Sequence, residues 1–424
     1  MREKGDAAMP GGSRRGLLKC MLWGAAGGVL WTVGGGVPRA IQLGGGALAA
    51  TPSAPGDFTF AQISDTHIGF HGAANPDPNG TLQQALARIA QAPARPAMMV
   101  HTGDVTHLSK PEEFDTAQQL LKGAGLDTHF IPGEHDIIDD EPGRQYKERY
   151  GKDAKGAGWY SFDQGGVHFV ALVNVLNLRP GGLGYLGPEQ LAWIKSDLKG
   201  RSASTPIVVL AHMPLWSVSP EWGWGTDDAA RALDLLKRFG SVTVLNGHIH
   251  QIMQKVEGSV RFHTAMSTAF PQPAPGAAPS PGPMAVAPGL LRSVLGVTSV
   301  SFVPGRHSLA VVDATLSGAP AAFAEANRRD VRPGAAARAP LGPGEIGIDN
   351  FAFGPRELAV TPGTAVTWIN RDDVPHVIAS AQRRFPSSPV LDTNKRFTFR
   401  FAERGTYDYF CAIHPTMTGR IVVA

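Results

Sequence analysis

Five short clusters of Asp, His and Gly stand at the ends of apolar runs, in order, between residues 63 and 250. They are Asp65-Thr66-His67, Gly103-Asp104, Gly133-Glu134-His135-Asp136, Ala211-His212-Met213-Pro214 and Gly247-His248-Ile249-His250. Runs such as Phe60 to Ser64, Met98 to His101, Val167 to Val173, Pro206 to Ala211 and Val242 to Asn246 read as buried strands. Leu82 to Ala90 and Glu112 to Lys122 have the spacing of amphipathic helices. Alternating strands and helices predict an α/β layered domain. Loops at the strand ends can then bring the clusters to one face of a sheet. Carboxylates and imidazoles gathered there suit Mn, Fe or Zn, and Gly lets the backbone approach closely.

The series resembles the calcineurin-like metallophosphoesterases, whose pattern is D-x-H, G-D, G-N-H-[DE], H and G-H-x-H. The resemblance covers about residues 57–316 and implies a four-layer αββα sandwich, here assigned to residues 51–317. It implies two divalent transition metals. Asp65, His67, Asp104 and His250 would hold one; Asp104, Glu134, His212 and His248 would hold the other, with Asp104 between them. A bridging hydroxide would then attack phosphorus in line with the leaving group. His135 is the expected proton donor to the leaving oxygen, with Asp136 orienting its imidazole. The segment from Gly103 to Thr106, with Glu113-Phe114, is similar to the cyclic-nucleotide phosphodiesterase branch. The implied activity is hydrolysis of a phosphodiester or phosphomonoester, a nucleotide among the candidate substrates.

One position departs from the family pattern. Glu134 stands where the family has Asn, and brings a negative charge on a longer arm. A less positive site pulls less on a dianionic monoester. Glu134 is therefore expected to favour monoanionic diesters, or a trivalent ion in one position. The alternative is a ligand with little functional effect. Trp216, Trp222 and Trp224 place three of the eight Trp within nine residues after His212. They could stack a nucleobase or an aryl group, or simply pack a loop. His71, just after the first cluster, could reach a substrate phosphate. His129, His168, His263 and His307 belong to no cluster and read as structural.

The pattern changes towards the C-terminus. Pro271 to Gly289 reads as a long Pro-rich loop inside the first domain, and Gly318 to Gly344 as an interdomain linker. From residue 345 to 424, short stretches such as Thr364 to Ile369 and Arg396 to Phe401 alternate with period two, which predicts a small β-sandwich. Within it, His376, Cys411, His414 and Met417 form the donor set of a blue-copper centre, two imidazoles and a thiolate with a long axial thioether. Met is a poor zinc ligand, which weighs against a structural zinc site. The C-x₂-H-x₂-M loop resembles cupredoxins, most of all amicyanin, and implies one type 1 copper and a redox partner for it.

The N-terminus reads as an address. Arg14-Arg15 precede an apolar stretch from Cys20 to Val37, and Ala47-Leu48-Ala49 offers a cleavage site. Residues 1–50 resemble a twin-arginine signal, which implies a periplasmic or exported protein touching the membrane only through that signal. The competing reading is an uncleaved anchor. Six of the chain's 39 basic residues and two of its 36 acidic ones lie in this segment, so the remainder is close to neutral. That argues against a nucleic-acid-binding surface.

A blue-copper site moves one electron and ester hydrolysis moves none. The first reading is a phosphoesterase carrying a copper module for electron transfer or redox sensing. The second is a periplasmic copper protein whose phosphoesterase-like part is a binding scaffold. The intact ligand set in the first domain favours the first.

Overall fold

The computed structural model describes residues 29–34, 37–42, 57–317 and 340–424, apart from 140, 153, 180, 279, 288, 305–308 and 416. In the N-terminal segment it gives one antiparallel pair, β1 (Val29–Gly34) and β2 (Val37–Gln42), with Val29 opposite Gln42. The rest of the expected export signal, linker residues 318–339 and His307 lie outside the described residues. Among the described residues no helix is long and apolar enough to cross a membrane.

The first domain begins with β3 (Phe58–Ile63), α1 (Pro78–Ala90), β4 (Met99–His101), α2 (Pro111–Lys122) and β5 (Thr128–Phe130). It continues through α3 (Arg144–Tyr150), β6 (Tyr160–Gln164), β7 (Val167–Ala171), α4 (Gly187–Asp197), β8 (Ile207–Leu210) and α5 (Ala229–Leu236). Then come β9 (Val242–Asn246), β10 (Gln254–Glu257), β11 (Val260–Thr264), α6 (Leu291–Val294), β12 (Gly296–Phe302) and β13 (Ala310–Thr315). Proline opens α1 and α2, where a missing N–H costs nothing, and Asp77 caps α1 by accepting from Gly80 N at 2.8 Å.

These strands make two sheets. One runs β13-β12-β3-β4-β5, the other β10-β11-β9-β8-β7-β6. Period-two alternation assigns their faces. Phe60, Val100, Val208 and Leu210 meet between the sheets, with Phe169 edge-on to Phe60 at 5.2 Å. Their neighbours Ala61, Met99 and Ile63 turn outward against Leu82, Ala85 and Leu121 of α1 and α2. On the far side Val209 and Val244 meet Leu191 and Ile194 of α4 and Leu236 of α5. This is the expected αββα sandwich. The central strands β3, β4 and β5 are parallel to one another, as are β7, β8 and β9, so their C-terminal ends line one edge of the two sheets.

The C-terminal domain is all-β, as its alternation predicts. Its strands are β14 (Glu345–Ile348), β15 (Phe353–Gly354), β16 (Glu357–Val360), β17 (Thr364–Asn370), β18 (Ile378–Ser380), β19 (Arg396–Phe401), β20 (Gly405–Cys411) and β21 (Thr418–Val423). They form two four-stranded sheets, β15-β14-β17-β19 and β16-β21-β20-β18. Trp368, Phe401, Tyr409 and Ile421 fill the space between them.

Candidate metal centres

Each of the five clusters follows a parallel strand. Asp65 and His67 follow β3, Asp104 follows β4, Glu134 and His135 follow β5, His212 follows β8, and His248 and His250 follow β9. Asp65, His67, Asp104, His248 and His250 all have positive φ, between 38° and 69°. Non-glycine residues avoid that region, and such strain gathers at functional sites. Glycines make room for the turns. A Cβ on Gly133 would strike the Asp104 carboxylate, and one on Gly247 would strike Ser64 Oγ and crowd Asp65.

The expected ligands come together in two groups, Asp65, His67, Asp104 and His250 in one and Glu134, His212 and His248 in the other. Asp104 Oδ2 lies 3.5 Å from His67 Nε2 and 3.4 Å from His212 Nε2, so one oxygen faces both groups. His250 Nε2 stands 3.3 Å from Asp65 Oδ1 and 3.2 Å from His67 Nε2. Glu134 places Oε2 at 2.9 Å from His212 Nε2 and Oε1 at 2.8 Å from His248 Nδ1. Yet Asp65 Oδ2, Glu134 Oε2, His212 Nε2 and His248 Nδ1 are buried without a well-aligned hydrogen bond. Buried polar atoms are rarely left so. Within each of the two groups, one donor atom from every residue lies within 4.8 Å of the others, which fits a cation at each.

Backbone carbonyls fix the rings. His212 Nδ1 donates to Thr102 O at 2.7 Å and His250 Nδ1 to Phe270 O at 2.6 Å, turning each Nε2 inward as a ligand. Burial works to raise the Glu134 carboxyl, but His248 and His212 outweigh it and hold it well below the usual range. Glu134 is thus an ionised member of the second group.

His135 is buried beside the ligands, its backbone N–H donating to Asp104 Oδ1 at 2.9 Å. Its ring is not oriented by Asp136. Nδ1 donates to the His107 carbonyl at 2.8 Å, and the ring stacks on His107 at 5.1 Å. Asp136 instead accepts from Val105 N, Thr106 N, Thr106 Oγ1 and Gly133 N, all at 2.9–3.0 Å. It buckles the β4 and β5 loops together. Burial and the Asp104 charge push its carboxyl up to about 7. His107 was not singled out from the sequence; its position three residues after Asp104 was the available signal.

Trp216 packs on the outer-layer core, with its ring 5.1 Å from Phe262, as the packing alternative expects. His71 is exposed on the loop after β3. His168 is structural as expected, held between Asp163 at 2.9 Å and Asp197 at 2.8 Å.

The third group lies at one end of the C-terminal domain. Cys411 Sγ is 3.5 Å from His376 Nδ1 and 3.6 Å from His414 Nδ1, and the two nitrogens are 3.3 Å apart. The centre of such a triangle is roughly 2 Å from each donor, a normal metal-ligand bond length. Burial opposes ionisation of Cys411, but hydrogen bonds from His376 and His414 hold its thiol well below the ordinary range. A thiolate is what copper needs. Met417 is buried, and its carbonyl accepts from Cys411 N at 3.0 Å. His376 and Cys411 are fully buried, and His414 is the more exposed ligand. Burial holds the His414 ring below its ordinary range, although the Cys411 thiolate works to raise it.

Residues 58–252 match the calcineurin-like phosphoesterase family, and residues 319–423 match the cupredoxin-like domain family. The chain carries a calcineurin-like phosphoesterase domain followed by a cupredoxin-like domain. The cupredoxin domain is similar to amicyanin from Paracoccus denitrificans, 34% identical over 132 residues that cover 29% of this chain and 98% of amicyanin. The phosphoesterase domain is similar to a 3',5'-cyclic-nucleotide phosphodiesterase of Nostoc sp., 26% identical over 223 residues that cover 50% of this chain and 79% of that protein. It is also 24% identical over 222 residues to a probable glycerophosphodiester phosphodiesterase of Arcobacter nitrofigilis, covering 49% of this chain and 77% of that one.

Proposed function

We propose that the chain is an exported, metal-dependent phosphoesterase acting on phosphodiesters, with a type 1 copper domain for electron transfer or redox sensing. The observation that carries the hydrolytic reading is the single Asp104 oxygen placed within 3.5 Å of both His67 and His212. Two divalent cations, Mn, Fe or Zn, would there lower the pKa of a water and offset charge on the phosphoryl oxygens. Asp65, His67, Asp104 and His250 would hold one, and Asp104, Glu134, His212 and His248 the other. His135 has Nδ1 donating to the His107 carbonyl, so its Nε2 would pass a proton to the leaving oxygen from the doubly protonated ring. Glu134 subtracts a charge from the site and favours a monoanionic diester over a dianionic monoester. The phosphodiesterase names of two relatives agree with that preference. His376, Cys411, His414 and Met417 would hold the copper, which would supply one-electron chemistry there. Export rests on the paired Arg and apolar run of residues 1–50.

The test is metal analysis of the purified full chain with a phosphoester panel. The expected result is one copper and two other transition metals per chain. Diester hydrolysis should be lost in Asp104→Asn, while the visible copper absorption is kept. No hydrolysis across the panel with Mn, Fe and Zn supplied in turn would overturn the reading.

A further inference from the structure

The Pro-rich stretch 271–289 ties the two domains together. Ser280 Oγ donates to Asn350 Oδ1 at 2.6 Å, and Phe351 packs against Gly282. Gln272 fastens the same stretch to the hydrolytic centre. Its Nε2 donates to His248 O at 3.0 Å, and its Oε1 accepts from Gly282 N at 3.2 Å. On the other side Phe351 stands edge-on to His414 at 4.8 Å. Ile138 packs on the cupredoxin core, and a Cβ on Gly182 would lie 3.8 Å from Pro415. The copper loop is therefore held facing the phosphoesterase domain.

A cavity of about 1070 Å³ lies between them. Glu134 reaches it from the metal centre. Ile137, Ile138 and Leu178 line it from one domain, Val377 and Ile413 from the other. Of its charged lining residues, Arg420 is paired with Asp408 at 2.7 Å, and Arg356 donates to Thr418 Oγ1 at 3.0 Å. A phosphodiester bound at the two cations keeps one ester arm on phosphorus after the other has left. That arm needs space beside the ligands, and this cavity offers apolar walls there.

We propose that the interdomain cavity binds an apolar ester arm of the phosphodiester substrate, with Ile138 and Ile413 determining specificity. The proposal rests on the phosphoesterase reading. Each methylene moved from water to such walls is worth about fourfold in affinity. The copper domain is then part of the substrate site and its loop a wall of the cleft.

The test uses p-nitrophenyl phosphodiesters with one leaving group and a methyl or butyl retained arm, on the full metal-loaded chain. The expected kcat/KM is at least tenfold higher for butyl. Ile138→Asn and Ile413→Asn should each lower that ratio at least threefold, with visible copper absorption showing that the small domain is folded. Calorimetry with butyl and methyl phosphate should show the same preference in binding. Equal kcat/KM for the two esters, or ratios unmoved in both variants, would overturn the cavity proposal and leave the phosphoesterase reading standing. No hydrolysis of either ester, with butyl phosphate still bound more tightly, would overturn that reading and support the cavity.

Discussion

His376 donates its Nε2 proton to the carboxylate of Asp372, 2.9 Å away. Burial favours the neutral ring, but Asp372 and the Cys411 thiolate outweigh it and raise the His376 pKa to about 9. Asp372 also accepts from Phe351 N at 3.0 Å, so one carboxylate sets both the ring and the loop that covers it. Such partners make a ligand more basic and fix its tautomer.

Asp372→Asn keeps an acceptor and loses the charge. Copper affinity is expected to fall about 10- to 100-fold. A copper titration followed by the thiolate-to-copper absorption reads it directly. Unchanged affinity would mean that the carboxylate serves only the Phe351 loop.

Gly247→Ala should push a methyl group into Ser64 and the Asp65 carboxylate. A ligand displaced by about 1 Å can cost roughly 100-fold in rate. The expected result is a loss of that order in diester hydrolysis together with fewer metals per chain, counted by elemental analysis. Normal metal content at normal rate would contradict it.

Glu134→Asn removes the charge that His248 and His212 hold in place. Monoester turnover is expected to rise relative to diester turnover by roughly three- to tenfold, a modest share of one unit charge at close range. The two kcat/KM values measured side by side decide the matter. An unmoved ratio would make Glu134 a plain ligand.

Glu113 supplies a pH test away from the ligands. Burial pushes its carboxyl up to about 7 from 4.5, although the N–H of Leu108 and the charge of Lys110 pull it down. Between those values the folded chain holds more proton than the unfolded one. Its contribution to stability therefore falls as pH rises through that window. Gln can still accept from Leu108 N, which lies 2.7 Å from Oε2, and it does not titrate. Glu113→Gln should gain about 1–3 kcal/mol over wild type at pH near 8 relative to pH near 4. Thermal unfolding of both proteins at the two pH values measures it.

The ligands were legible because each lies next to the strand that carries it. Asp65, Asp104 and His212 follow runs whose burial is written in Val, Ile and Met, and the glycines beside them mark turns that no Cβ would allow. Likewise Cys411, His414 and Met417 share one short loop. Residues whose role depends on a distant partner were less so. Asp136 looks like an imidazole orienter by adjacency to His135, yet its donors come from Val105, Thr106 and Gly133. Trp216 follows a ligand in sequence, but packs against Phe262 in the outer layer. The stretch 271–289 reads as a plain loop because Ser280 meets Asn350 seventy residues on, a contact no periodicity encodes.

That contact changes what a shortened protein would be. A chain ended at residue 317 would not be a phosphoesterase relieved of its copper. Ile138 would meet water where it now meets the β-sandwich, Ser280 would lose its acceptor, and Gln272 would steady the His248 backbone from a loop no longer braced by Phe351. Cut at the linker, the hydrolase half would be a different catalyst, and its rates would report on that damage as much as on the missing metal.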